Sequence, residues 1–280
     1  MSAQERISDR GLRLDTFLHN LFRGGCVGSF TVTTVTPIMN FTNHILNQSP
    51  STVSNSFTLR RAFDGVLSYN ASVFPMIGVS LATHSFLQTQ AKAYSWDVEN
   101  PSVKLGFSVI AGMLAGIVGA LPEGIAQAQQ LTTPKPRSLE ILKNVVQYHG
   151  VSGLTRGIPA TMIRQSIFTA GYMALMPLSI AILNAYSIPP FFSELLSATG
   201  TGTLIGILTS PPNRLRFEMQ KGFDTLQSPP SYSNVLKQGS LLFKGWQARS
   251  LMSASSMLLL HKGKEVYDRV ASAEDLSKSE

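Results

Sequence analysis

The stretch GVSGLTRGIPATMIRQ, running from Gly150 to Gln165, decides how the rest of the chain is read. Gly150, Gly153 and Gly157 punctuate a tight turn in which backbone can pack against backbone. Pro159 follows at a position that the first turn of a helix accepts. Arg164 stands seven residues after Gly157, near the head of a run that reaches Ser193 with no other charge. An arginine one or two turns into such a run is costly in lipid unless it faces protein or water, which makes it a functional candidate.

The same apolar habit extends along the whole chain of 280 residues, of which only 14% are charged and 44% hydrophobic. Soluble domains carry about 25% charged residues. The segments 24–59, 65–91 and 195–213 contain no Asp, Glu, Lys or Arg. The segment 105–134 contains only Glu123, 157–193 only Arg164, and 245–261 only Arg249. Each is long enough for the roughly 20 residues that cross a bilayer as a helix. Six such spans predict a polytopic, all-α membrane protein. Their wealth of Ser, Thr, Asn, Gln and Gly suits helices around a wet path more than helices bathed in lipid.

The net charge of +7 fits basic connecting loops facing anionic lipid, or a basic cavity that draws in anions. No arginine-rich helix or aromatic-basic repeat points to nucleic acid. Cys26 is the single cysteine, so neither a disulfide framework nor a CxxC metal site is possible. His19, His44, His84, His149 and His261 lack ligand spacing, and neither a metal nor another cofactor is expected. Without a nucleophile–base pair the pattern argues against an enzyme.

The N-terminal residues to Arg23 place Leu12, Leu14, Phe17, Leu18 and Leu21 on a helical period. Glu5, Asp9 and Asp15 make this segment unlike an acid-free transit peptide, so any organelle address is internal. Beyond it the chain repeats itself. Gly24 and Gly28 precede Pro37, Gly202 precedes Pro211, and Gly112 with Gly116 precedes Ile125, with Pro122 close by. A second landmark recurs in phase as Phe63-Asp64-Gly65, Thr155-Arg156-Gly157 and Phe243-Lys244-Gly245. Each unit reads as a span, a polar linker with a short amphipathic helix, and a second span. The linker helices are expected at 56–63, 138–149 and 232–243. In the middle one Leu139, Ile141, Leu142, Val145 and Val146 form one apolar face, a shape that lies in the membrane interface. Three pairs of spans with both termini on one side predict a bundle of threefold pseudo-symmetry around a central path.

From about Leu18 to Val270 this pattern resembles the mitochondrial carrier family. That family repeats P-x-[DE]-x-x-[KR]-x-[KR] and then [DE]-G-x-x-x-x-[aromatic]-[KR]-G three times. GVSGLTRGIPATMIRQ is similar to the second motif, FKGWQAR in the third unit is nearly as good, and Pro75 falls ten residues after Gly65. The resemblance implies the carrier fold of six transmembrane helices in three repeats, with short amphipathic linker helices. It divides the chain into an N-terminal segment 1–16, repeats 17–98, 99–187 and 188–270, and a polar tail 271–280.

The departures are informative. The acidic gate positions hold Met39, Gln127 (or Gly124, if Pro122 sets the register) and Asn213. The basic positions hold Thr42, Gln130 (or Gln127) and Arg216. Pro37 and Pro211 remain as landmarks, and Gln220 matches a bracing glutamine that has no ion pair to brace. On the opposite side Ser85 and Pro177 stand at acid positions, and only Glu265 survives. A partly buried ion pair nets little stability, so its loss need not unfold the bundle. Weakened gates put strict coupled exchange in question.

Carried over by position, the substrate contacts are Ser72 with Val73, Arg164 with Gln165, and Met252 with Ser253. Arg164 could grip a carboxylate or phosphate, or could pair with Glu123. Arg249 and Lys244 are candidates for a second anion contact or for snorkelling to the interface. Arg214 and Arg216 read either as gate remnants or as phosphate contacts. Tyr69 and Asn70 could stack on or hydrogen-bond a base. The family resemblance implies a transporter of nucleotides, chiefly ATP and ADP, in the mitochondrial inner membrane, moving them by alternating access. A carrier of amino or organic acids, or a receptor or remodelling protein that no longer transports, are the alternatives. The implied partners are a small anion and the bilayer, with cardiolipin at the linker helices, and the implied state is a monomer. The tail ASAEDLSKSE is similar to C-terminal export signals of bacterial effectors, which would imply a secreted protein acting on host mitochondria.

Overall fold

The computed structural model describes residues 3–47, 63, 66–131, 137–220, 230–237 and 239–277, without the side chains of 3–13, 38–47, 68, 130–131 and 271–277. The first linker helix expected at 56–63, the landmark Gly65 and the side chains of Met39, Thr42 and Gln130 fall outside what is described.

All described regular structure is helical. The long elements are α1 (Ala3–Asn47), α2 (Val66–Ala93), α3 (Pro101–Leu131), α5 (Ile158–Ala170) continuing through a π-helical turn into α6 (Met176–Ala185), α7 (Pro190–Gln220) and α9 (Trp246–Ser277). Short helices α4 (Ser138–His149) and α8 (Tyr232–Leu236) occupy the described linkers. With the α5–α6 rod counted once, these make six rods. Three of them, spanning Pro101–Gln129, Val151–Ala185 and Pro190–Gln220, are long and apolar enough to cross a membrane. The other three are comparably long but more polar: α1 and α9 carry charges in their terminal halves, and α2 is rich in Ser, Thr, Asn and Gln.

The rods pack as three antiparallel hairpins: α1 with α2, α3 with α5, and α7 with α9. Contacts of α2 with α3, of α5–α6 with α7, and of α1 with α9 close them into a ring. Small residues bring each hairpin together. A Cβ on Gly112 or Gly116 would strike the backbone of Ser166 or Met162, and one on Gly202 or Gly206 would strike that of Ala254 or Ser250. Both pairs meet the partner helix five and nine residues after the landmark glycine, Gly157 or Gly245. In the first hairpin the closest approach slides to Val73, Ile77 and Gly78. The small-xxx-small spacing works because it removes side-chain bulk along one stripe and lets backbones touch.

Gly157 and Gly245 both adopt left-handed backbone, φ +76 and +85, and each starts an even rod. An L side chain resists that conformation, so the recurrent glycine reflects the shape of the turn. The second linker helix coincides with 138–149, but its apolar face is not wholly turned outward. Ile141 and Val145 pack on Leu121, Ile125 and Ala128 of α3, while Leu139 and Val146 are exposed. The third linker is not one helix: α8 ends at Leu236, Gly239 turns the chain at φ +55, and a 3-10 turn covers Gly239–Phe243. The π-helical turn Gly171–Leu175 is a further departure from simple periodicity. It lies where Gly171 lets Ile205 of α7 press against the α5–α6 backbone.

The interior is layered along the bundle. Near the end where α1 begins and α9 finishes, charged side chains link α1, α7 and α9. Next comes an apolar core in which Val27, Ile77, Tyr172, Met176, Ala198, Ile205, Met257 and Leu260 meet from all three hairpins. Nearer the linker end lies a cluster of arginines around one carboxylate.

Candidate functional site

That carboxylate is Glu123, placed immediately after Pro122 within α3. Its Oε1 accepts a hydrogen bond from Arg164 Nη2 of α5 at 2.6 Å, and its Oε2 accepts one from Arg216 Nη1 of α7 at 2.8 Å. Three different rods are thereby joined at one group. The side chains of Arg164, Glu123 and Arg216 are only 11%, 10% and 14% exposed, so this is a nearly dry cluster. Of the two readings of Arg164 offered by the sequence, the pairing with Glu123 is the one present. Each arginine uses one terminal nitrogen on Glu123, leaving the forked bidentate mode untaken.

Arg249 of α9 lies within Coulombic reach of Glu123, Arg164, Arg216 and Tyr69, and its Nε donates to Thr209 Oγ1 at 3.4 Å. It is drawn inward, rather than snorkelling to the surface. Three guanidiniums therefore face a single carboxylate, and two positive charges are unmatched within the cluster. Separating a buried carboxylate from its arginines would leave uncompensated charge on both sides. In such a setting the pairs fix geometry more surely than they add net stability.

Toward the linkers two glutamines extend the cluster. Gln127 Nε2 donates to the carbonyl of Phe217 at 3.1 Å, and Gln220 Nε2 donates to the carbonyls of Ala120 at 3.0 Å and Arg156 at 3.4 Å. Gln220 thus holds α7 to α3 and to the turn before α5. The missing ion pair at this level is replaced by side-chain-to-backbone bonds, which need no opposing charge. Asn213 Oδ1 accepts from Arg216 at 3.4 Å, and Pro37 and Pro211 are half-buried within their helices. Arg214 parts company with Arg216: it pairs with Glu218 one turn on at 2.7 Å, its guanidinium 5.8 Å from the Phe217 ring, with 41% of its side chain exposed.

The remaining candidates are dispersed. Ser72 is fully buried on α2, Gln165 is 1% exposed beside Arg164, and Met252 is half-buried on α9. Asn70 donates to Thr33 of α1 at 3.0 Å, and Lys244 is exposed. At the terminal end Glu265 pairs with Lys262 and Arg269 of its own helix, at 3.0 and 2.6 Å. The links between helices there fall to Glu194 with Lys262 at 2.6 Å, joining α7 to α9, and to Arg23 with Asp268, joining α1 to α9. Sequence reasoning placed Glu123 only as an alternative partner for Arg164. Its position as sole charge in 105–134, directly after a proline, was the available signal of a central role. Among the described residues no group of His, Cys, Asp and Glu could hold a metal ion.

No family model matches the chain. A curated relative, mitochondrial substrate carrier family protein H of Dictyostelium discoideum, is 24% identical over 183 residues. The match covers 60% of this chain and 48% of the relative, so it spans about half of that protein's length. The chain is similar to a protein of the mitochondrial substrate carrier family, and the similarity is distant.

Proposed function

We propose that the chain is a membrane carrier of small organic anions, with nucleotides such as ATP and ADP as its leading substrates. It would work in the mitochondrial inner membrane, by rocking three hairpins about a site near the middle of the bundle. The observation that carries this reading is the excess of three arginines over one carboxylate at the junction of α3, α5, α7 and α9. A surplus of fixed positive charge in a poorly hydrated interior favours a multiply charged anion and disfavours cations. The ring of six rods and the similarity to a carrier protein support transport rather than catalysis.

Carriage of organic or amino acids is a second reading with its own support, because Arg164 and Arg216 already hold a carboxylate. Liposomes containing the purified full chain, tested for uptake of labelled ATP and of labelled malate and glutamate, separate the two. The expected result is saturable ATP uptake that Arg164→Ala reduces at least about a hundredfold, as loss of two charge-assisted hydrogen bonds to a desolvated anion implies. Uptake of the acids alone would replace the first reading with the second. Uptake of none of them would remove transport of these anions altogether.

A further inference from the structure

We propose that Glu123 is a built-in competitor for the carried anion: it holds Arg164 and Arg216 between substrates, and a bound anion must displace it. The inference rests on the reading of the chain as an anion carrier and adds to it a residue that sets affinity and release.

The cluster is incompletely satisfied. Arg164 and Arg216 each give one nitrogen to a different oxygen of Glu123. The Nε–H of each arginine is buried and finds no acceptor, and the Nε2 of Gln165, 1% exposed, is equally without one. Three unpaired donors therefore lie on two residues of α5 and one of α7, beside a carboxylate that has no further cation contact than these two arginines in hydrogen-bond range. Buried donors favour acceptors, and an oxygen-rich group between these three would supply them. Glu123 does not supply them in this arrangement, since each of its oxygens lies on a terminal nitrogen and neither reaches an Nε.

A phosphate group or a dicarboxylate presents three or four oxygens and two negative charges. It would offset two of the three arginine charges as Glu123 leaves and reach the Nε edges that Glu123 leaves open, in the forked geometry arginine favours. Glu123 and such an anion cannot both occupy Arg164 and Arg216 closely, because like charges that near one another repel. Binding therefore becomes an exchange: the anion enters as the Glu123 carboxylate swings off. Release runs in reverse, with Glu123 re-pairing the arginines and expelling the product. The same carboxylate prevents two bare guanidiniums from facing one another in the empty protein. A resident counter-ion lowers affinity and raises turnover, since uniform tight binding of the cargo would slow its escape.

The test uses the purified full chain, its thermal unfolding followed while inorganic phosphate, ATP or malate is titrated in. Glu123→Gln should tighten the apparent dissociation constant for the preferred anion about tenfold or more, while lowering the maximal uptake rate in liposomes. Glu123→Asp keeps the charge but shortens its reach, and should tighten binding by a smaller factor. It carries the test alone if Glu123→Gln folds only when anion is present, itself an outcome that supports the exchange. Binding by Glu123→Asp no tighter than wild type, or by Glu123→Gln equal to or weaker than wild type, overturns the proposal and leaves the carrier reading standing. Failure of the wild-type chain and both variants to bind or take up any of the three anions overturns the carrier reading and this inference together.

Discussion

Gly200 and Gly202 stand two residues apart on α7, and the structure predicts opposite consequences for the same change at each. A Cβ added at Gly202 would lie 2.3 Å from the Cα of Ala254 and 2.5 Å from its backbone nitrogen, whereas one at Gly200 would meet nothing within 4 Å. Comfortable carbon contacts need about 3.5 Å or more. Relieving the clash at Gly202 therefore requires α7 and α9 to part by about 1 Å, because backbone cannot rotate aside as a side chain can. Overpacking of this kind costs about 1–3 kcal/mol, and the backbone contact places it in the upper part of that range. Alanine is better than glycine in a helix by about 1 kcal/mol, which offsets part of the loss at Gly202 and is a net gain at Gly200. The two variants should thus differ by about 2–3 kcal/mol, with Gly202→Ala the less stable. At about 2–4 °C per kcal/mol for a chain of this size class, the gap in Tm is about 4–12 °C. Fluorescence of Trp96 and Trp246 during heating of the detergent-purified chain reads it directly. Equal Tm values for the two variants would refute the close approach of α7 and α9.

Two further outcomes separate the layers of the bundle. Gln220 is buried at 1% exposure and donates to Ala120 and Arg156 carbonyls of neighbouring segments. Gln220→Ala should lower stability by about 1–3 kcal/mol through the lost bonds and the unsatisfied carbonyls, measured by the same thermal unfolding. Arg214→Ala removes an ion pair whose arginine is 41% exposed, so stability should change by no more than about 1 kcal/mol. Anion uptake by Arg214→Ala should match wild type, in contrast to Arg164→Ala; a matching loss in both would return Arg214 to the site.

Much of this architecture was legible locally. The charge-poor segments mark six long rods, because a helix satisfies its own backbone and needs only a compatible run of side chains. Gly157 and Gly245 were legible as turns, since their left-handed backbone is a property of the residue itself. The paired glycines were legible as contact stripes, although the slide in the first hairpin was not. The split of the third linker at Gly239 escaped notice because the apolar period continues through it. The first linker lies outside the described residues.

The chain's own order of residues determined that Arg164, Glu123 and Arg249 would be isolated charges in apolar runs, and so would demand partners. It could not determine which partner each takes. Glu123 and Arg164 are 41 positions apart, and Glu123 and Arg216 are 93 apart. Their meeting depends on how far each rod is rotated and slid against its neighbours, and the glycine contacts set that only once all six are packed. Tertiary structure alone decided that Arg214 faces outward while Arg216 turns in, and which backbone carbonyls Gln127 and Gln220 bind. A half-turn of helix rotation moves a side chain from lipid to interior, and no local sequence pattern specifies rotation that finely.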